Sequence, residues 1–158
     1  MTKINIRAYR DPDFPQLESV LKATKLYDPN FDQRERYKTK IEHDPESIIV
    51  AEQDNRILGG IIFIYDPFAS SIWHLCVDPL YQGRGTGTEL MKQAFSTLQS
   101  RGADVIIGYI NADDIQLAQF YEKRGVKICR DLPIFGIEKK LDKKWKDNSQ
   151  ALCSFQQK

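Results

Sequence analysis

Apolar and polar residues alternate from Ile4 to Tyr9, the period of a half-buried strand. The period then changes. Phe14, Leu17, Val20 and Leu21 recur three or four residues apart, and Asp11-Pro12 ahead of them supplies an N-cap and a first helical residue. Asp28-Pro29-Asn30 breaks this helix, and a second, more polar one is expected over 33–42, with Tyr37 and Ile41 on one face. Asp44-Pro45 ends it. Strands are expected over 47–52 and 58–65, joined by a hairpin turn at Asp54-Asn55, and over 71–77 after the loop 66–69. Leu90, Met91, Ala94, Phe95 and Leu98 trace a third helix, which Arg101-Gly102 stops. The apolar run 104–110 reads as a strand. A fourth helix starts after Asn111, capped by Asp113 or Asp114, and stops at Gly125. Residues 126–130 and 134–141 read as a closing pair of strands around Asp131-Leu132-Pro133. The stretch 142–158 is polar, with Trp145, Leu152 and Phe155 as its anchors, and is expected to be peripheral or partly disordered.

An antiparallel meander thus precedes a strand–helix–strand unit, whose strands should run parallel with a right-handed crossover. The fold class is α+β: a mixed, largely antiparallel sheet with a central parallel pair flanked by helices. No internal repeat or linker divides the chain, so 1–141 is expected to form a single domain and 142–158 a tail. The closing strands and the tail either complete the monomer or pair a homodimer.

Bulk properties narrow the function. At 158 residues the chain can bury roughly two thirds of its unfolded surface. A hydrophobic share of 41% and a charged share of 28% are ordinary for a globular protein. A net charge of +1 argues against nucleic acid as the main partner, since phosphate backbones call for a clear basic excess. The longest apolar run, 57–65, falls short of the ~20 residues of a membrane-spanning helix, and the N-terminus lacks the apolar core of a signal peptide. Cys76, Cys129 and Cys153 have no metal-ligand spacing, and only His43 and His74 could assist them, so no metal is expected. They read as free thiols of a reducing, cytoplasmic compartment.

The informative stretch is Gln82-Gly83-Arg84-Gly85-Thr86-Gly87-Thr88, between the strand ending at Val77 and the helix that carries Leu90. A helix N-terminus leaves backbone N–H groups unpaired and puts the positive end of its dipole there. Glycines let that backbone approach a ligand, and Arg84 adds fixed charge. Such a turn is an anion site, or else simply a turn that ends in a helix cap. A P-loop is excluded because no Gly-Lys-Ser/Thr follows, and a dinucleotide fingerprint because the glycines are spaced by one residue.

The stretch fits Gln/Arg-x-x-Gly-x-Gly/Ala and, preceded by Leu75-Cys76-Val77-Asp78-Pro79 and Tyr81, it resembles the acetyl-CoA motif of the GNAT superfamily of N-acetyltransferases. A second signature supports the resemblance. Phe120-Tyr121-Glu122-Lys123 and Gly125 match Asn-x-x-Ala-x-x-Phe/Leu-Tyr-Glu-Lys-x-Gly-Phe, while Asp114 stands in place of Asn, Leu117 in place of Ala and Val126 in place of the aromatic residue. The resemblance implies an acetyl-CoA-dependent N-acetyltransferase with the GNAT acyl-CoA N-acyltransferase fold. It also implies a cofactor-binding set of Leu75, Cys76, Val77, Gln82, Gly83, Arg84, Gly85, Thr86, Gly87, Thr88 and Asp114. The turn would hold the pyrophosphate, and backbone groups of Leu75 and Val77 would meet the pantetheine arm where the strand bends away from its parallel neighbour. Tyr121 would be the general acid for the departing thiolate, or would only pack its helix on the sheet.

Direct attack by an amine requires a proton acceptor, because a primary alkylamine titrates near ~10 and is mostly protonated at neutral pH. Alternation puts His74 on the face opposite Trp73, so His74 is expected to be a packed, satisfied histidine; Glu52, Asp66 and Asp78 are conceivable bases among which the spacing selects none, and a water relay is expected to take the proton. The acceptor is an amine of unspecified kind: a small amine, an amino-acid-like metabolite, or a protein N-terminus or lysine. Its site should draw on 28–44, 66–70 and 131–133, with Tyr27, Phe31, Tyr37 and Phe68 either lining it or belonging to the core. The alternative function is a non-catalytic module that binds or senses acyl-CoA.

Overall fold

The computed structural model describes residues 3–130, in two units that divide between Gly108 and Tyr109. The first unit is built on a five-stranded sheet in sequence order: β1 (Asn5–Ala8), β2 (Ile48–Gln53), β3 (Arg56–Ile64), β4 (Ser70–Val77) and β5 (Ile106–Ile107). Pairing is antiparallel through β4, and β4–β5 is the parallel pair. The β2–β3 hairpin turns at Asp54 and Asn55 with φ of 50° and 61°, the left-handed conformation that a two-residue turn needs and that Asn and Asp tolerate.

Helices cover both faces. Strand β3 is buried continuously from Ile57 to Phe63, the pattern of a strand with layers above and below it. On one face, Phe14, Leu17, Val20 and Leu21 of α1 (Phe14–Ala23) and Tyr37 of α2 (Arg34–His43) meet Ile48, Val50, Ile62 and Cys76. On the other, α3 (Thr86–Ser100) lays Leu90, Met91, Ala94 and Leu98 over β2 and β3. Deleting one such fully buried leucine to alanine costs about 2–5 kcal/mol.

Three expectations change. The first helix begins at Phe14, after a 3-10 turn over Asp11–Asp13. Its N-cap position is Asp13 rather than Asp11, with no side-chain cap bond to the helix; the Asp13 carboxylate accepts the Arg10 N–H ahead of the 3-10 turn (2.8 Å) and is gripped by Arg7 (2.7 and 2.9 Å). The strand expected over 104–110 shrinks to β5, because only Ser70 and Ser71 pair with it. Residues 126–130 form no ladder with any described strand. The expected strand 134–141, the turn 131–133 and the tail 142–158 lie outside the described residues. In the second unit, α4 (Ile115–Glu122) ends on Gly125 at φ 78°. There the Gly125 and Val126 N–H groups bond back to the Glu122 and Tyr121 carbonyls (3.0 and 3.2 Å), the paired closure that a left-handed C-terminal residue allows.

Candidate active site

Between β4 and α3 the chain makes a 3-10 turn, Pro79–Tyr81, then the glycine stretch. Asp78 caps the 3-10 turn by accepting the Leu80 N–H (3.0 Å) and pairs with Arg56 (3.0 Å). The guanidinium groups of Arg56 and Arg84 lie 5.0 and 5.2 Å from the Tyr81 ring centre, so two cations flank the entrance to α3. Gly83 and Gly85 take φ of 74° and 86°, and a Cβ on either would meet nothing within 4 Å. Among the described residues, the backbone N–H groups of 82–87 donate to no protein acceptor. Thr86 is 2% exposed, and its Oγ1 lacks a partner among the described residues. Six amide donors, a helix dipole and open space in front of two glycines fit a diphosphate.

Among the described residues, the strand ahead of this turn has one edge that is mostly without a partner strand. Strand β4 pairs with β3 along its length, but with β5 only at Ser70 and Ser71, so no described strand covers its other edge from Ile72 to Val77. The opening lies where an extended amide chain could add its own hydrogen bonds. Two details refine the expected contacts. The Gln82 side chain turns back and donates to the Val77 carbonyl (2.9 Å), tying the glycine turn to the strand end. Cys76 is 3% exposed and donates to the Gly60 carbonyl (3.6 Å); burial pushes its thiol up to about 12, so only its main chain could reach a ligand. Gly59 holds this strand end close, since a Cβ there would stand 2.4 Å from the Cys76 oxygen and 3.1 Å from the Val77 Cα. Backbone atoms cannot rotate aside. Gly59→Ala is therefore expected to cost about 1–3 kcal/mol, lowering Tm by roughly 2–12 °C in a thermal melt of a chain this size.

On the α1–α2 face, β4 carries one residue more than β3: His74 pairs with Ile62 and Ile72 with Phe63, which leaves Trp73 as a bulge. The bulge cancels the alternation, so His74 does not lie opposite Trp73. Both rings face the loop between α1 and α2. Trp73 meets Phe31 edge-on at 5.2 Å, and His74 Nε2 stands 3.3 Å from Asp32 Oδ1, off the line of a good hydrogen bond. Asp32 is 2% exposed. Its Oδ1 also accepts the Tyr37 hydroxyl (2.8 Å) and its Oδ2 the Asp28 N–H (2.7 Å). Burial, then the Asp32 carboxylate, pushes the Tyr37 phenol far above its ordinary value. Beside this cluster lies a cavity of about 290 Å³, walled by Phe31, Asp32, Tyr37, Ile62 and Trp73, with Lys40 also on its lining. That volume is about ten water molecules' worth. Of the aromatic residues expected near the acceptor, Phe31 and Tyr37 line the cavity, Tyr27 packs against the core and Phe68 is 92% exposed.

In the second unit, Asp114 caps α4, accepting the Leu117 N–H at 2.9 Å. Tyr121 is half-buried, and burial pushes its phenol above the ordinary value, so it stays protonated at neutral pH. Its hydroxyl has no hydrogen-bond partner among the described residues. An asparagine at 114 offers the same cap oxygen plus a donor. Asp114→Asn should leave Tm unchanged and leave KM for acetyl-CoA equal or lower, whereas Asp114→Ala should cost about 1 kcal/mol of stability; melts and initial rates check both.

The profile of the acetyltransferase (GNAT) family matches residues 9–126. The chain belongs to this family. Two curated relatives are acetyltransferases of Sodalis glossinidius and Pectobacterium atrosepticum, each 29% identical over 120 residues; the alignments cover 76% of this chain and 84% and 85% of theirs. The fold agrees with an N-acetyltransferase of Thermoplasma acidophilum solved in complex with coenzyme A (TM-score 0.68, 19% identity, 80% of this chain and 91% of that one). It agrees likewise with an N-acetyltransferase of Staphylococcus aureus (TM-score 0.68, 15% identity, 78% and 83%). This GNAT protein is an acetyl-CoA-dependent acetyltransferase. Among its described residues no helix is long and apolar enough to cross a membrane.

The structure brings the predicted residues Leu75, Cys76, Val77 and 82–88 together at one strand end and helix start, and places Asp114 and Tyr121 on one helix of the second unit. Sequence reasoning missed Asp32. Flanked by Phe31 and Gln33 after a Pro29-Asn30 break, it has the composition of a solvated turn, and nothing local signals that its carboxylate is buried.

Proposed function

We propose that the protein transfers the acetyl group of acetyl-CoA directly to a primary amine, with both substrates bound at once. The unpaired amides of 82–87 carry this reading. They offer a preorganised cradle for the CoA diphosphate, with Arg84 beside it. The free β4 edge from Ile72 to Val77 would take the amides of the pantetheine arm, and the Gln82–Val77 bond keeps cradle and edge in fixed register. The amine would enter through the cavity beside Trp73. Its lone pair attacks the thioester carbonyl, the C–S bond breaks, and the thiolate takes a proton. The family motif supports Tyr121 as that donor, as do its free hydroxyl and its protonated state. A covalent acetyl-cysteine route is disfavoured at Cys76, whose buried thiol is neutral at working pH. The two described cysteines are free, which supports a cytoplasmic location.

The test is release of free thiol from acetyl-CoA across a panel of small amines, amino acids and N-terminal peptides. Initial rates for the best amine should give intersecting double-reciprocal lines, as a ternary complex requires. Parallel lines would mean an acetyl-enzyme intermediate, and no acetylated amine anywhere in the panel would sink the reading.

A further inference from the structure

We infer that His74, oriented by Asp32 and Tyr37, is the group that takes the proton from the attacking amine. The inference rests on the acetyl-transfer reading above and adds to it a named base in place of a water relay. The β4 bulge at Trp73 is the structural cause. It turns His74 toward the loop after α1, where Nε2 comes to 3.3 Å from the carboxylate of Asp32. That carboxylate is already fixed on both oxygens, by the Tyr37 hydroxyl at 2.8 Å and by the Asp28 N–H at 2.7 Å. An ionised carboxylate only accepts. With its proton on Nε2, a neutral ring would put an N–H beside this carboxylate and keep a lone pair on Nδ1. Nδ1 has no hydrogen-bond partner among the described residues, and 12% of the side chain stays exposed. Trp73 and Asp32, the residues that flank the ring, both line the cavity.

The groups around this pocket are Asp28 and Asp32 from the loop, Arg36, Tyr37 and Lys40 from α2, Tyr9 after β1 and Cys76 from β4. Burial keeps both tyrosines and the cysteine neutral, so the charged groups are the carboxylates of the loop and, on the cavity wall, Arg36 and Lys40. A buried carboxylate gains a full counter-ion when the imidazolium forms. In the reaction the amine nitrogen bonds to the acetyl carbon, the C–S bond breaks, and the N–H proton passes to Nδ1. The thiolate is protonated separately, and His74 then returns its proton to water at its exposed edge.

The tautomer can be read without turnover. The chain has two histidines, and His43 presents Nδ1 to the Thr39 carbonyl at 2.7 Å, so a His43→Gln control assigns the spectrum. In [15N]histidine NMR of the full chain, neutral His74 should carry its proton on Nε2; a proton on Nδ1 would overturn the inference. His74→Gln should lower kcat about 10²–10³-fold, within the usual range for a positioned base. CoA affinity by calorimetry should be unchanged, and the acid limb of the kcat–pH profile should disappear. Asp32→Asn should lower kcat, because an amide can turn a donor toward Nε2 and so lose the acceptor that orients the ring. A His74→Gln enzyme with kcat within threefold of wild type and the same acid limb would overturn the assignment, even if the tautomer is as expected. Failure of wild type to acetylate any amine would count instead against acetyl transfer itself.

Discussion

Replacing Tyr121 with phenylalanine should lower kcat for acetyl transfer about 10²–10⁴-fold, the usual worth of a positioned acid or base. Affinity for CoA should not move. The ring's packing survives the change, including its edge contact with Phe120 at 5.5 Å, and the deleted hydroxyl has no protein partner among the described residues to leave stranded. Stability should therefore stay within about 0.5 kcal/mol of wild type. Burial raises the phenol above its ordinary value of ~10, so wild-type activity should show no loss from phenol ionisation below pH ~10. Thiol release at saturating substrates, with a melt of the same samples, decides the matter. A Tyr121→Phe enzyme with wild-type kcat would reduce this residue to a packing role.

Gly85→Asp should weaken CoA binding about 100-fold while the fold persists. Gly85 sits at φ 86° with open space where a Cβ would go, and Asp is among the few residues that tolerate this conformation. The expected strain is about 1 kcal/mol, partly offset because a carboxylate at a helix N-cap accepts the first amides of α3. Those are the amides a diphosphate would need. The new charge would stand roughly 5 Å from the ligand's phosphates, where an effective dielectric near 20 gives ~3 kcal/mol of repulsion. Gly85→Asn keeps the shape without the charge and should lose no more than about tenfold. Calorimetric titration with CoA, compared across the three proteins, isolates the electrostatic part. Equal affinities in all three would place the diphosphate somewhere else on the molecule.

Much of this was written in local residue patterns. The hairpin at Asp54-Asn55, the apolar faces of α1 and α3, the stop at Gly102 and the caps of α4 lie where spacing and turn chemistry put them, because each depends on a few adjacent residues. The glycine turn was legible for the same reason: three glycines between a strand and a helix start need only their own neighbours to leave backbone amides unpaired. The length of β5 was not legible, since a run of isoleucines shows the propensity of a strand but not how far its neighbour stays beside it.

The sequence by itself determined the family, the order of elements from β1 to α4 and the place of the glycine turn, all of them properties of residues that act within a few positions of one another. Only the tertiary structure decided what surrounds His74. One extra residue in β4 reverses the facing of a side chain that strict alternation sends elsewhere. The carboxylate it meets comes from Asp32, 42 positions earlier, in a loop whose burial depends on α1, α2 and the sheet closing together. Local pattern carries no record of such an encounter, because burial and contact across the sheet are properties of the packed whole.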